Sequence, residues 1–197
     1  MQSKSVRLYF NFRSPYCYLA SKRLFAIFRD FHVQMVWRPL GGWDGRSPPD
    51  RAKAKIPIAR QDVARWARRL GIPYQPPPVA TDPTRAGVGS LLAEELGLLQ
   101  PYVVEVMRDE WAGGCDIGDP DTLLAIGQRI GIDRTALAQA LENPELHAQL
   151  KSNWEEAQKI GVIGVPTFVI DDQIFWGNDR IDFVREHLQE LRLARLQ

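Results

Sequence analysis

Cysteine is scarce: Cys17 and Cys115 are the only two in 197 residues. They lie too far apart for a Cys-x-x-Cys pair or a thiolate zinc cluster. A disulfide between them stays open from the sequence, although no secretion signal points to an oxidising compartment. The three histidines, His32, His147 and His187, lack metal-ligand spacing and read as helix or loop surface residues, so no metal site is expected. An excess of one charge is also missing. Lys+Arg 25 against Asp+Glu 24 leaves a net charge of +1, which gives no electrostatic argument for a nucleic acid or membrane partner. No run is long and apolar enough to span a bilayer. Met1 to Arg7 carries charge where a secretion signal needs an apolar stretch, and a cytoplasmic enzyme is the expectation. With 45% hydrophobic and 25% charged residues, the composition is that of an ordinary globular protein, without repeats or low-complexity tracts.

What is present is an ordered alternation of elements. Val6, Leu8, Phe10 and Phe12 alternate with Arg7, Tyr9, Asn11 and Arg13, a strand pattern. Ser14-Pro15 then suits a helix start, because serine caps well and proline at the first position gives up an N–H that has no partner there. Leu19, Leu24, Phe25, Ile27 and Phe28 predict one helix to about Phe31, and Val33 to Leu40 reads as a second strand. Gly41 to Pro49 is a loop. Asp50 to Leu70 is predicted helical, with Ile56, Val63, Trp66 and Leu70 on its apolar face and Gly71 as its stop. Pro73, Pro76, Pro77, Pro78 and Pro83 mark a connector. Helices follow at 85–96, 101–111, 120–130, 133–141 and 145–160. Thr167 to Ile170 and Ile174 to Trp176 form a tight hairpin, and Asn178 to about Leu193 is a closing helix. The order β-α-β, helical block, β-β-α predicts an α/β, thioredoxin-like fold, residues 1–42 and 161–197, with an inserted all-helical domain at 43–160.

Three segments carry chemistry. At Ser14-Pro15-Tyr16-Cys17 the hydroxyl has two open readings. It caps the helix, or it donates a hydrogen bond to a thiolate brought by a ligand, since serine itself neither ionises near neutrality nor forms a disulfide. Lowering a bound thiol by two pKa units takes roughly 2.7 kcal/mol, within reach of one charge-assisted hydrogen bond plus the helix dipole. At Gly164-Val165-Pro166-Thr167, Pro166 either starts a strand or adopts the cis form, leaving the backbone of Val165 free to pair with an extended peptide. At Trp176-Gly177-Asn178-Asp179-Arg180 the polar trio either follows a simple glycine turn or holds a zwitterionic ligand end.

Taken together, Phe10-Asn11-Phe12-Arg13-Ser14-Pro15-Tyr16, Asp62-Val63-Ala64-Arg65-Trp66-Ala67, Gly161-Val162-Ile163-Gly164-Val165-Pro166-Thr167 and Trp176-Gly177-Asn178-Asp179-Arg180 resemble the 2-hydroxychromene-2-carboxylate isomerase family. That family is kin to kappa-class glutathione transferases and DsbA-type oxidoreductases, and the likeness runs over essentially the whole chain. It implies glutathione in a cleft between two domains. Ser14 would meet the glutathione sulfur with Tyr16 beside it, and Val165, before Pro166, would pair with the peptide backbone. Asn178, Asp179 and Arg180 would hold the γ-glutamyl end. Lys55 stands where the family places a lysine; it meets a carboxylate or is simply solvated. Lys53, Lys55, Arg60 and Arg85 are the basic positions available to attract a substrate carboxylate, unless they lie on solvated faces. The chain departs from the family at Asn11, in place of an aspartate, at Ile58, in place of a tyrosine, and at Arg46, where asparagine is common. These changes fall on the substrate side. Cys17, at the second cysteine position of redox kin, reads as an inert small hydrophobe.

The implied activity is isomerisation of a hydroxychromene carboxylate or a related aromatic breakdown intermediate by reversible thiol addition. A kappa-like transferase, a thiol–disulfide oxidoreductase and a non-catalytic glutathione-binding protein are the alternatives. A homodimer follows only by analogy.

Overall fold

A computed structural model describes residues 4–195; the outermost residues of the Met1–Arg7 segment and of the expected range 161–197 lie outside it. Strand β1 (Lys4–Phe10) pairs in parallel with β2 (Val33–Pro39), with Val6 opposite Met35 and Leu8 opposite Trp37. On its other edge β1 pairs antiparallel with β3 (Thr167–Ile170), and β3 forms a hairpin with β4 (Gln173–Trp176). The sheet order is β2-β1-β3-β4. This is the mixed sheet of a thioredoxin-like fold. All the helices from α3 to α8 fall between β2 and β3 in the chain: α3 (Pro49–Leu70), α4 (Thr84–Glu95), α5 (Leu99–Trp111), α6 (Pro120–Arg129), α7 (Arg134–Leu141) and α8 (Pro144–Lys159).

The structure corrects the sequence reading at four places. The first strand ends at Phe10 rather than Phe12, and Tyr9 and Asn11 on its supposed polar face are fully buried. A central strand has both faces covered, so alternation there does not mark an inside and an outside. The single helix expected to Phe31 is two, α1 (Pro15–Ser21) and α2 (Phe25–Asp30), separated by a turn at Lys22–Leu24. The closing helix begins as a 3₁₀ turn at Asn178–Arg180 and continues as α9 (Ile181–Glu190), where Phe183 is exposed. Ile56 of α3 also departs from the expected buried stripe. Ile56 is exposed, and Pro57 lies inside the helix without an N–H for the ladder.

The helical block is joined to the sheet through aromatic packing. Phe10 lies 5.2 Å from Phe12 and 5.1 Å from Trp37, and Phe12 lies 6.1 Å from Tyr102 of α5. Such pairs contribute beyond their buried area. The Trp37 indole donates to Ser90 Oγ of α4 at 2.9 Å. Tyr102 fits because α4 offers a glycine: a Cβ on Gly89 would lie 2.2 Å from the Tyr102 hydroxyl. Below the sheet, Glu156 of α8 accepts from Arg38 (2.7 Å) and Arg7 (3.2 Å) on neighbouring strands. Asn153 Nδ2 donates to the Pro39 carbonyl at 2.9 Å and closes the end of β2.

Candidate functional site

The end of β1 and the start of α1 set the site. Asn11, fully buried, organises the turn between them. Its Oδ1 accepts from the Arg13 N–H at 2.9 Å, and its Nδ2 points at the carbonyls of Gly41, Gly42 and Asp44. Ser14 therefore sits at the N-cap of α1 with extended backbone. Its Oγ accepts from the Cys17 N–H at 3.4 Å and lies 3.5 Å from the Val165 carbonyl. Both contacts are long, so the hydroxyl retains capacity for another partner. Capping is thus part of its role, and the seven-residue α1 supplies a smaller dipole than the expected longer helix would.

Val165 faces Ser14 from the segment before β3. The Val165–Pro166 peptide is cis, and among the described residues the Val165 N–H donates to no backbone carbonyl. The Pro166 carbonyl accepts from the Gly177 N–H at 2.9 Å, which ties this segment to the chain beyond β4. Gly45 lets the loop after β2 reach the same point, because a Cβ there would stand 2.8 Å from Val165 and Leu40. Across from these, Tyr16 on α1 donates to Asp62 Oδ2 of α3 at 3.0 Å. Burial first, and then that carboxylate, push the phenol well above its ordinary pKa.

These groups surround one cavity of about 500 Å³, a size ordinary for small-molecule sites. Ser14, Tyr16, Lys55, Val165, Asn178, Asp179 and Arg180 all line it; Pro166 does not. Asn178 is buried, while Asp179 and Arg180 are partly exposed and pair with each other at 2.9 Å. Lys55 donates to Ser47 Oγ at 3.3 Å. Of the other basic positions, Arg60 reaches the wall, but Lys53 does not, and Arg85 is turned to Glu142 at 2.9 Å. Ile58, noted as a departure, is exposed and lies outside the cavity.

Sequence reasoning missed part of the wall. Trp43, Tyr74 and Trp111 line it together with Arg13, and Arg46, noted as a departure on the substrate side, stands beside them. Tyr74 stacks on Trp111 with centroids 6.2 Å apart and planes at 6°. Arg13 stood in the expected strand alternation and Tyr74 in a connector, so neither carried a periodic signal. Cys17 is fully buried, and burial pushes its thiol up to about 12. Cys115 is exposed, and both cysteines are free.

The DSBA-like thioredoxin domain model matches residues 5–189. The chain belongs to that family. A 2-hydroxychromene-2-carboxylate isomerase of Sphingobium xenophagum is 28% identical over 94% of this chain and 98% of its own, and one from Pseudomonas putida is 29% identical over 89% and 90%. Human glutathione S-transferase kappa 1 is 24% identical over 95% of this chain and 92% of its own. Among solved structures, a 2-hydroxychromene-2-carboxylate isomerase superposes with a TM-score of 0.81 at 26% identity, covering 95% of this chain and 96% of that one. Its relatives by sequence thus include named isomerases and a named glutathione transferase. Among the described residues no helix is long and apolar enough to cross a membrane.

Proposed function

We propose that the protein is a glutathione-dependent isomerase acting on 2-hydroxychromene-2-carboxylate or a closely related aromatic-degradation intermediate. The observation that carries this reading is the convergence of Ser14, the free Val165 N–H and the Asn178-Asp179-Arg180 trio on one cavity. The cavity fits the tripeptide in chemistry as well as size. An extended peptide backbone suits the Val165 N–H and its weakly engaged carbonyl, and a zwitterionic end suits the adjacent Asp179 carboxylate and Arg180 guanidinium. Glutathione supplies a thiolate that adds to a conjugated electrophile and leaves again unchanged. The Ser14 hydroxyl, only weakly engaged with the Val165 carbonyl, would donate to that sulfur and stabilise the anion by a charge-assisted hydrogen bond. The Tyr16–Asp62 bond holds α1 against α3, fixing the spacing between the thiol end and the aromatic wall. Trp43, Tyr74 and Trp111 supply flat apolar surface for a planar substrate and exclude water from it.

A redox role is disfavoured by position 14, which carries no sulfur, and by the buried, poorly ionising Cys17. The transferase reading draws on the kappa-class relative, and stoichiometry separates it from isomerisation. Protein freed of low-molecular-weight thiol is assayed with 2-hydroxychromene-2-carboxylate, with and without glutathione, while free thiol is counted. The isomerase reading requires turnover only with glutathione and an unchanged thiol count. Consumption of one thiol per turnover makes the protein a transferase, and full activity without thiol overturns both.

A further inference from the structure

Two arginines face the aromatic side of the cavity without a full counter-charge. Arg46 lies over Trp43, with Cζ 4.1 Å from the ring centroid, and donates to the Gly42 carbonyl at 3.1 Å. Among the described residues no carboxylate pairs with it. Arg13, nine-tenths buried, stands 5.2 Å from the Trp111 centroid and donates to the Pro78 carbonyl at 3.0 Å, while its Nε has no partner. The nearest acid is Glu110 on α5, behind Arg13 and off the cavity wall. Its Oε1 lies 3.8 Å from Arg13 Nη1, too far for a hydrogen bond, and neither of its oxygens is hydrogen-bonded. The Trp111 indole N–H beside it is committed to the Phe12 carbonyl at 3.1 Å.

One fully buried acid thus sits behind two guanidiniums. Asp116 and Asp82 act on them only from beyond ion-pair distance, and burial pushes the Glu110 carboxyl well above the usual carboxylate range. Burial also lowers Arg13, and lowers Arg46 to about 10, as expected for cations short of a partner. Guanidinium planes beside indole and phenol rings suit a flat ligand whose anionic group is itself planar.

We propose that Arg46, together with Arg13 held by the Pro78 carbonyl, forms a carboxylate-binding subsite that selects planar aromatic acids over their neutral analogues. This rests on the functional reading only in taking such an acid to be the substrate; the binding claim stands apart from glutathione. Arg46 is the specificity residue.

Calorimetric titration with cinnamate and with cinnamamide, two flat ligands differing in charge, tests the subsite. Native protein is expected to bind the acid at least about tenfold more tightly than the amide. Arg46→Met keeps the aliphatic packing on Trp43, should erase that preference and should leave the amide affinity within about twofold. Equal affinity for acid and amide in native protein overturns the subsite, as does an acid preference that survives Arg46→Met. Glutathione is titrated into the same samples. If it fails to bind while the acid preference holds, the functional reading falls and the subsite stands; if it binds and the preference is absent, the reverse follows.

Discussion

Replacing Ser14 by alanine separates the two roles of its hydroxyl. As a cap it receives only the Cys17 N–H, at a long 3.4 Å, so the folding cost sits near the low end of cap removals, about 0.5–1 kcal/mol. As a donor to a bound thiolate it does more. Ser14 is 6% exposed, so little water is at hand to replace the lost bond. A hydrogen bond to a charged group is worth roughly 2 kcal/mol, which is about 1.5 pKa units. Below both pKa values the variant then holds about thirtyfold less thiolate. Part of this returns as intrinsic nucleophilicity, since a thiolate of higher pKa attacks faster with a Brønsted slope of roughly 0.45. The net loss in the addition step is about sevenfold in acid. It closes as pH rises through the bound thiol's pKa in the native enzyme and reverses once both thiols are ionised.

Ultraviolet absorbance of the thiolate, titrated in the glutathione complexes of both proteins, reads the shift directly. The pH profile of kcat/KM reads its consequence. Melting curves of the two proteins without ligand isolate the cap contribution. A bound-thiol pKa that does not move refutes the assignment, and so does a rate loss that stays constant across pH, because neither comes from a hydrogen bond to the anion.

Native protein treated with a maleimide near neutral pH should label at Cys115 alone, with a second thiol appearing only on denaturation, because Cys17 is buried and its thiol is pushed up to about 12; two native labels by mass spectrometry contradict this. Ser90→Ala should destabilise by about 1–3 kcal/mol in urea, since it strands the buried Trp37 indole N–H; a loss below about 0.5 kcal/mol contradicts it. Glu156→Gln should cost roughly 1 kcal/mol at neutral pH, a modest value for a partly exposed cluster. Burial alone would raise the Glu156 carboxyl, but Arg38 and Arg7 hold it below its ordinary value. Its contribution is therefore full above the unfolded glutamate pKa of about 4.3 and disappears as pH falls through the lower folded value. Denaturation midpoints of native and variant protein should converge in acid, and a gap that persists there contradicts the ion-pair account.

Most elements were legible because local signals and tertiary demands agree. Asp119, Asp133 and Asn143 cap α6, α7 and α8 through their side chains, and Gly71 closes α3 at φ 65°. Where they disagree, the sequence misleads. Tyr9 and Asn11 read as a polar face only if one side of β1 is open, and that depends on α8, whose Glu156 meets Arg7 across 149 residues. The Ser14 end of the cavity could be read because its motifs are short and contiguous. The aromatic and cationic end could not: Arg13 meets Glu110, Trp111 and Pro78, partners separated from it by 65 residues or more.

Two departures noted separately in the sequence, Asn11 and Arg46, are one structural change. The Asn11 amide nitrogen faces the Gly41, Gly42 and Asp44 carbonyls at 3.4, 3.4 and 3.0 Å. A carboxylate has no N–H to give them and would set negative charge against carbonyl oxygens. The Gly42 carbonyl also accepts from Arg46 at 3.1 Å, so the loop that Asn11 pins is the loop that lays Arg46 over Trp43. An amide at the end of β1 thus fixes a guanidinium at the cavity wall. That coupling gives the substrate side a positive charge whose position depends on the same turn that places Ser14.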